Sequence, residues 1–218
     1  MNVQLASDAS CGDQDDKATA KRGRKYDQVI AGARQVFLRA GFEGAGVDEI
    51  ARTAGVSKAT LYSYFADKRL LFLEVALLEC QRQTDEAVVD LDMGRPPREV
   101  LTFAADRMMN FLLSPFGRAV FKTIVAETDR FPEIGEAFWK TGPLRGRMIL
   151  MEYFTRAEAR GELDIPDKRL AADQFSELCK ADLWPRMMFG IKRDFTEDDR
   201  LRVVNGAVDM FMARYGTE

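Results

Sequence analysis

Val47–Lys68 reads VDEIARTAGVSKATLYSYFADK, two short helical patterns joined by a turn and followed by the start of a third. Val47, Ile50, Ala51 and Ala54 recur at i, i+3, i+4 and i+7, one apolar stripe at helical period. Gly55 stands where that helix must stop, a position that favours a residue without a Cβ. Ser57 is placed to cap the next helix through its hydroxyl. Leu61 and Phe65, with Val56 ahead of them, are expected to point back at the first stripe. Lys58, Thr60, Tyr62, Ser63 and Tyr64 are left for the outward face. A short helix with a hydroxyl, aromatic and basic face suits a nucleic acid groove.

The charge distribution agrees with a polyanion at this end of the chain. Residues 1–16 carry four acids and no base, and residues 17–70 carry 11 Lys/Arg against 5 Asp/Glu. The remaining chain holds 21 bases against 26 acids, so a basic segment of net +6 sits within a protein of net −3. Chance clustering is the alternative to a partner confined to one end. Lys21-Arg22-Gly23-Arg24-Lys25 closes a polar, acidic stretch with too little apolar surface to fold, and reads as a basic arm for phosphates or a minor groove.

From Asp27 to Ala40, Ile30, Ala33, Phe37 and Leu38 follow helical spacing, with Asp27 as the expected cap and Gly41 as the stop. Together with the two helices of Val47–Lys68 this makes a three-helix helix-turn-helix unit. Beyond Asp67 the chain stays periodic and apolar with proline and glycine breaks. Expected helices are 67–90, 98–113, 116–128, 133–140, 144–160, 167–190 with a kink at Pro185, and 196–215 with Thr196 as its cap. No segment alternates with period two, so the fold class is all-α. The divisions are a basic-ended arm at 1–22, a helix-turn-helix DNA-binding domain at 23–69 and a larger helical domain at 70–218.

Several functions are disfavoured by composition. Histidine is absent, which removes triad catalysis and His-based metal sites. No carboxylate pair has a catalytic pattern, so the chain is read as a non-enzyme, and nothing calls for a cofactor or metal. The cysteines Cys11, Cys80 and Cys179 are far apart and form no CxxC. Cys80 and Cys179 read either as small buried hydrophobes or as redox sensors. With no run of about 18 apolar residues and no apolar leader, the expected location is the cytoplasm, away from membranes.

Ile30–Val75 resembles the DNA-binding domain of TetR-family transcriptional regulators. The elements that carry the likeness are Phe37, Gly41-Phe42, Ile50-Ala51, Ala54-Gly55-Val56-Ser57, Thr60-Leu61-Tyr62, Tyr64-Phe65 and Lys68. VAETDRFPEIGEAFWKTGP and ADQFSELCKADLWPRMMFG carry a weaker likeness to the AefR-like ligand domains of that family. The resemblance implies a DNA-binding set of Arg22, Arg24, Lys25, Ser57, Lys58, Ala59, Thr60, Tyr62, Ser63, Tyr64 and Lys68. Within it, Lys58, Ala59, Thr60, Tyr62 and Ser63 would face the groove, Tyr64 and Lys68 would clamp the backbone, and Arg22, Arg24 and Lys25 would form the arm. The chain departs from the pattern at Gly46, where the family usually has a Ser or Thr that caps the helix and contacts a phosphate.

The same resemblance implies a homodimer on a near-palindromic double-stranded operator, joined mainly through the last two helices. Phe175, Leu178, Leu183, Val204, Val208 and Phe211 are the candidate interface residues. An aromatic and methionine-rich segment offers a pocket for an unidentified apolar or amphipathic effector. Its candidates are Met108, Phe111, Phe121, Glu127, Phe138, Trp139, Met148, Trp184 and Met188, with Arg147, Asp182 and Arg186 as further polar groups. Core packing is the alternative for each of them. The expected function is a sequence-specific regulator, a repressor released from its operator by the ligand. An architectural or occlusion protein on the same fold is the rival.

Overall fold

Prolines and glycines set most of the helix boundaries. The computed structural model describes residues 23–90 and 92–217, and among these it contains eleven helices and no strand. They are α1 (Arg24–Gly44), α2 (Val47–Ala54), α3 (Lys58–Tyr64), α4 (Lys68–Asp90), α5 (Pro97–Leu113), α6 (Pro115–Thr128), α7 (Pro132–Thr141), α8 (Pro143–Ala159), α9 (Lys168–Cys179), α10 (Leu183–Met188) and α11 (Glu197–Tyr215). Pro97, Pro115, Pro132 and Pro143 each occupy a first helical position, where the missing N–H has no intrahelical partner to lose. Arg22, the acidic residues ahead of it and Cys11 lie outside the described residues. The chain forms two units, one ending at Val75 and the other starting at Ala76, so the division falls inside α4.

In the first unit α1 buries Val29, Gly32, Ala33, Val36 and Phe37, an i, i+3, i+4, i+7, i+8 stripe. This corrects the expected face by one residue, since Ile30 is only half-buried and Leu38 is exposed. Asp27 is not the cap either. Gly23 holds that place and Asp27 lies in the first turn, where its charge favours the helix N-terminus. Gly41 does stop the regular helix: its φ of 69° belongs to glycine. α1 and α2 meet at Gly32, where an added Cβ would stand 2.6 Å from the backbone N of Ala54. Phe37, Phe42 and Phe72 close the unit, with Phe72 at 5.0 Å from each of the other two rings.

In the second unit Val100, Leu101, Ala105 and Met109 of α5 pack with Leu150, Tyr153, Phe154 and Ala157 of α8, and with residues of α9 and α11. Phe211 stacks on Phe154 at 5.2 Å and meets Phe175 edge-on at 5.5 Å. Phe175, Leu183, Val204, Val208 and Phe211 are thus buried within one protomer, and Leu178 is half-buried. That overturns their reading as a spare apolar surface. A core face and an interface have the same helical period, and these residues supply the core.

The helix expected over 167–190 is two helices. Asp182, at φ 64° and ψ −58°, separates α9 from α10, and the Leu183 N–H donates to the Ala181 carbonyl at 2.7 Å. This is a γ-turn of the strained hand. Pro185 is its cause: in an unbroken helix the ring would clash with the carbonyl of Ala181, four residues back. Placed in the first turn of α10, the proline needs no hydrogen-bond partner. Asp182 is held by Arg202 Nη2 at 2.6 Å and Arg186 Nε at 3.2 Å. At the last helix, Thr196 and Asp199 form a reciprocal capping box at the start of α11.

Candidate nucleic-acid interface

The turn between α2 and α3 is built as its residue types require. Gly55 adopts φ 65° and ψ 32°, and the Val56 N–H returns to the Ala51 carbonyl at 3.0 Å. Ser57 Oγ accepts from the Thr60 N–H at 3.0 Å and lies 2.9 Å from the Thr60 hydroxyl. Ile50, Ala51, Ala54 and Leu61 are buried between the helices. α3 is pinned by this contact, and its other face is turned to solvent.

On that face Lys58, Ala59 and Ser63 are exposed, and Tyr62 is 48% exposed. Thr60 is half-buried, its hydroxyl already engaged by Ser57. Ser63 donates to the Thr60 carbonyl at 2.7 Å, although its oxygen can still accept. Lys58 forms an ion pair with Asp48 at the start of α2, with both side chains mostly exposed. Such a pair contributes about 0–1 kcal/mol and exchanges readily for a phosphate.

Tyr64 and Lys68, the pair expected to clamp the DNA backbone, both make contacts within the first unit. Tyr64 is half-buried and lies edge-on to Tyr26 at 5.8 Å. Tyr26 also packs on Phe65 and donates its hydroxyl to Glu74. Lys68 Nζ donates to the carbonyls of Phe42 at 2.9 Å and Ala45 at 3.2 Å, and stands 4.4 Å above the Phe42 ring. It therefore ties down the segment that leads into α2. Asp67 caps α4 through the N–H groups of Arg69 and Leu70 at 2.8 and 3.0 Å. Partial burial would raise its pKa, but those two bonds, together with the hydrogen bond and charge of the Arg69 guanidinium, hold the carboxyl below the usual range.

Gly46 is the cap of α2 and offers no side-chain bond. A Cβ there would meet nothing within 4 Å, so the missing hydroxyl is not a steric requirement. Arg24 and Lys25 are exposed in the first turn of α1, and Arg22 lies outside the described residues. The sequence reading missed Tyr26 and Gly32. A helical wheel drawn on Val29 and Phe37 brings out Gly32, but Tyr26 joins Glu74 across 48 positions and leaves no local signal.

In the second unit Phe121 of α6 meets Trp184 of α10 edge-on at 5.0 Å and Phe138 of α7 at 6.5 Å. All three are half-buried, as are Met108, Phe111, Glu127 and Met188, while Trp139 and Met148 are exposed. α7 has no buried residue at all. Cys80 and Cys179 are free and buried. Burial, with the charge of Glu79 beside Cys80, pushes both thiols up to about 12, which argues against reactive sensors.

A helix-turn-helix with a polar-faced second helix, followed by an all-helical second unit, defines a class of DNA-binding transcriptional regulators. Residues 29–75 match the family described as bacterial regulatory proteins, tetR family, and residues 99–217 match the AefR-like transcriptional repressor C-terminal domain. The chain belongs to the TetR family of transcriptional regulators, which are not enzymes. It is 29% identical over 154 residues to the uncharacterised regulator YdeS of Bacillus subtilis, covering 67% of this chain and 75% of YdeS. It resembles a TetR-family regulator structure from Mesorhizobium loti, with TM-score 0.75, 27% identity and coverage of 89% and 98%. It also resembles the flavonoid-responsive regulator FrrA, with TM-score 0.62, 31% identity and coverage of 90% and 100%. No described helix is long and apolar enough to cross a membrane.

Proposed function

We propose that this regulator is a homodimeric cytoplasmic repressor that leaves its operator when a small apolar or amphipathic molecule binds the second unit. The observation that carries the DNA part is the capped α3, with Lys58, Ala59, Tyr62 and Ser63 exposed on a buried apolar bracket. In this reading those residues and Thr60 face the major groove, and Ser57, Tyr64, Arg22, Arg24 and Lys25 meet the backbone. Lys68 acts chiefly on the loop it ties, since two of its three ammonium protons are taken by carbonyls.

The effector part is supported by the half-buried layer of Phe121, Phe138 and Trp184, and by the matched description of an AefR-like repressor domain. FrrA is by its name responsive to a flavonoid, an aromatic molecule. The continuous helix α4, which runs through the unit boundary, is the covalent route by which an effector would act on the first unit. A ligand does so only if it favours the DNA-incompetent state.

For the dimer, the surface that remains on α9 and α11 includes Leu170 and Met210, which are 50% and 61% exposed. The test is fluorescence anisotropy of the full-length protein on its operator across a salt series and an effector panel. The proposal requires tight, salt-dependent binding that at least one apolar or amphipathic compound abolishes. Binding of equal strength to unrelated duplexes would instead favour the architectural rival.

A further inference from the structure

The core-facing stripe of α8 runs through Leu150, Phe154 and Ala157, all buried. Arg147 precedes them on the same stripe, three residues before Leu150 and seven before Phe154. A charged side chain thus occupies a position that helical period assigns to the interior. It is 12% exposed. Its guanidinium lies 5.1 Å from the Trp139 ring, and its Nε donates to Asp173 Oδ1 at 2.6 Å.

A guanidinium has five N–H donors in a fixed fork. Nε uses one, and among the described residues no other hydrogen bond of Arg147 is found. No buried side-chain nitrogen or oxygen among the described residues is sealed off without a partner, so the Nη end of the fork keeps some accessible surface. Arg145 and Arg147 both stand in the first two turns of α8; Asp85 and Asp173 answer each arginine with one carboxylate, and the four Nη protons of Arg147 remain.

Trp139 and Phe138 are consecutive residues of α7, their Cα atoms about 3.8 Å apart. Trp139 supports the arginine, and Phe138 belongs to the aromatic layer with Phe121 and Trp184. We propose that Arg147 receives the carboxylate-type head group of an anionic amphipathic effector whose apolar body lies on Phe138, Phe121 and Trp184. The proposal rests on the effector-site reading above and adds the ligand's charge. Arginine binds a carboxylate through two parallel N–H bonds, and its partly desolvated setting strengthens the pair. Asp173 holds the guanidinium plane through Nε and leaves the fork free.

The test displaces the neutral fluorophore N-phenyl-1-naphthylamine from the full-length protein with dodecanoate, 1-dodecanol or dodecylamine, each below its aggregation concentration. Dodecanoate should displace the fluorophore at a concentration lower by about tenfold or more than dodecanol, and dodecylamine should be no better than dodecanol. Arg147→Gln should erase the preference for dodecanoate while fluorophore and dodecanol binding stay unchanged, and Arg147→Lys should fall between. Equal displacement by dodecanoate and dodecanol in the native chain would overturn the proposal without any variant. So would parallel weakening of all ligands in Arg147→Gln, the mark of a purely structural arginine. Failure of the fluorophore to bind at all would overturn the effector site itself, and this head-group assignment with it.

Discussion

Lys68 turns its charge inward, onto two carbonyls and the Phe42 ring, and so holds the 42–45 segment from which α2 starts. Lys68→Met should destabilise the first unit by about 1.5–3 kcal/mol, the range for hydrogen bonds to a charged group, and should weaken every operator alike. Arg24→Ala should also weaken every operator but lower the slope of affinity against salt by about one phosphate contact, with thermal stability unchanged. Anisotropy and thermal melts on both variants separate the two roles. Tyr62→Ala should instead change preference at one operator position by about 1–3 kcal/mol, read by competition between operator variants. Gly46→Ser has open space for its side chain and should add a few tenths of a kcal/mol through capping. Gly55 and Ser57 are legible from sequence because a stop and a cap act within three residues. Lys68 was not, because its partners lie 23 and 26 positions away.

At the scale of elements, the first unit depends on how closely α1 approaches α2. Gly32→Ala would drive a Cβ into the backbone of Ala54, which cannot rotate aside. It should cost about 1–3 kcal/mol, as overpacking does, and abolish DNA binding by displacing α2, measured by thermal melting and anisotropy. At α11, the Lys192 ammonium and the Thr196 N–H hold the Asp199 carboxyl down at about 2. A folded pKa below the unfolded value contributes stability that is present above about pH 4 and is lost as pH falls through about 2. Melts from pH 5 to pH 2 should show this loss, and Asp199→Asn should flatten that part of the profile. Proline and glycine made most helix ends readable. The break at Asp182 was misplaced to Pro185, because the ring's clash falls four residues upstream of the proline itself.

For the whole molecule, the all-helical class was legible from helical period, whereas the division between the two units falls inside α4, at Val75–Ala76, and leaves no break in that period. Which apolar faces close one protomer and which meet a partner was not legible either, because both repeat every 3.6 residues. Phe211 shows the difference: surrounded by Phe154, Phe175 and Tyr215, it belongs to the protomer. Phe211→Ala should cost about 3–5 kcal/mol and lower the melting temperature at every protein concentration. Met210→Asp, on the outward face of α11, should leave the protomer folded and make the melting temperature independent of protein concentration, with the largest drop in concentrated protein, as loss of a dimer requires. The central claim is that two copies of α3 read a two-fold operator. Its most direct test is selection of bound sites from random duplex DNA by the full-length protein. The result predicted is a single near-palindrome with half-site centres about one helical turn, 34–36 Å, or more apart. Recovery of no enriched sequence, or of sites without two-fold symmetry, would contradict it.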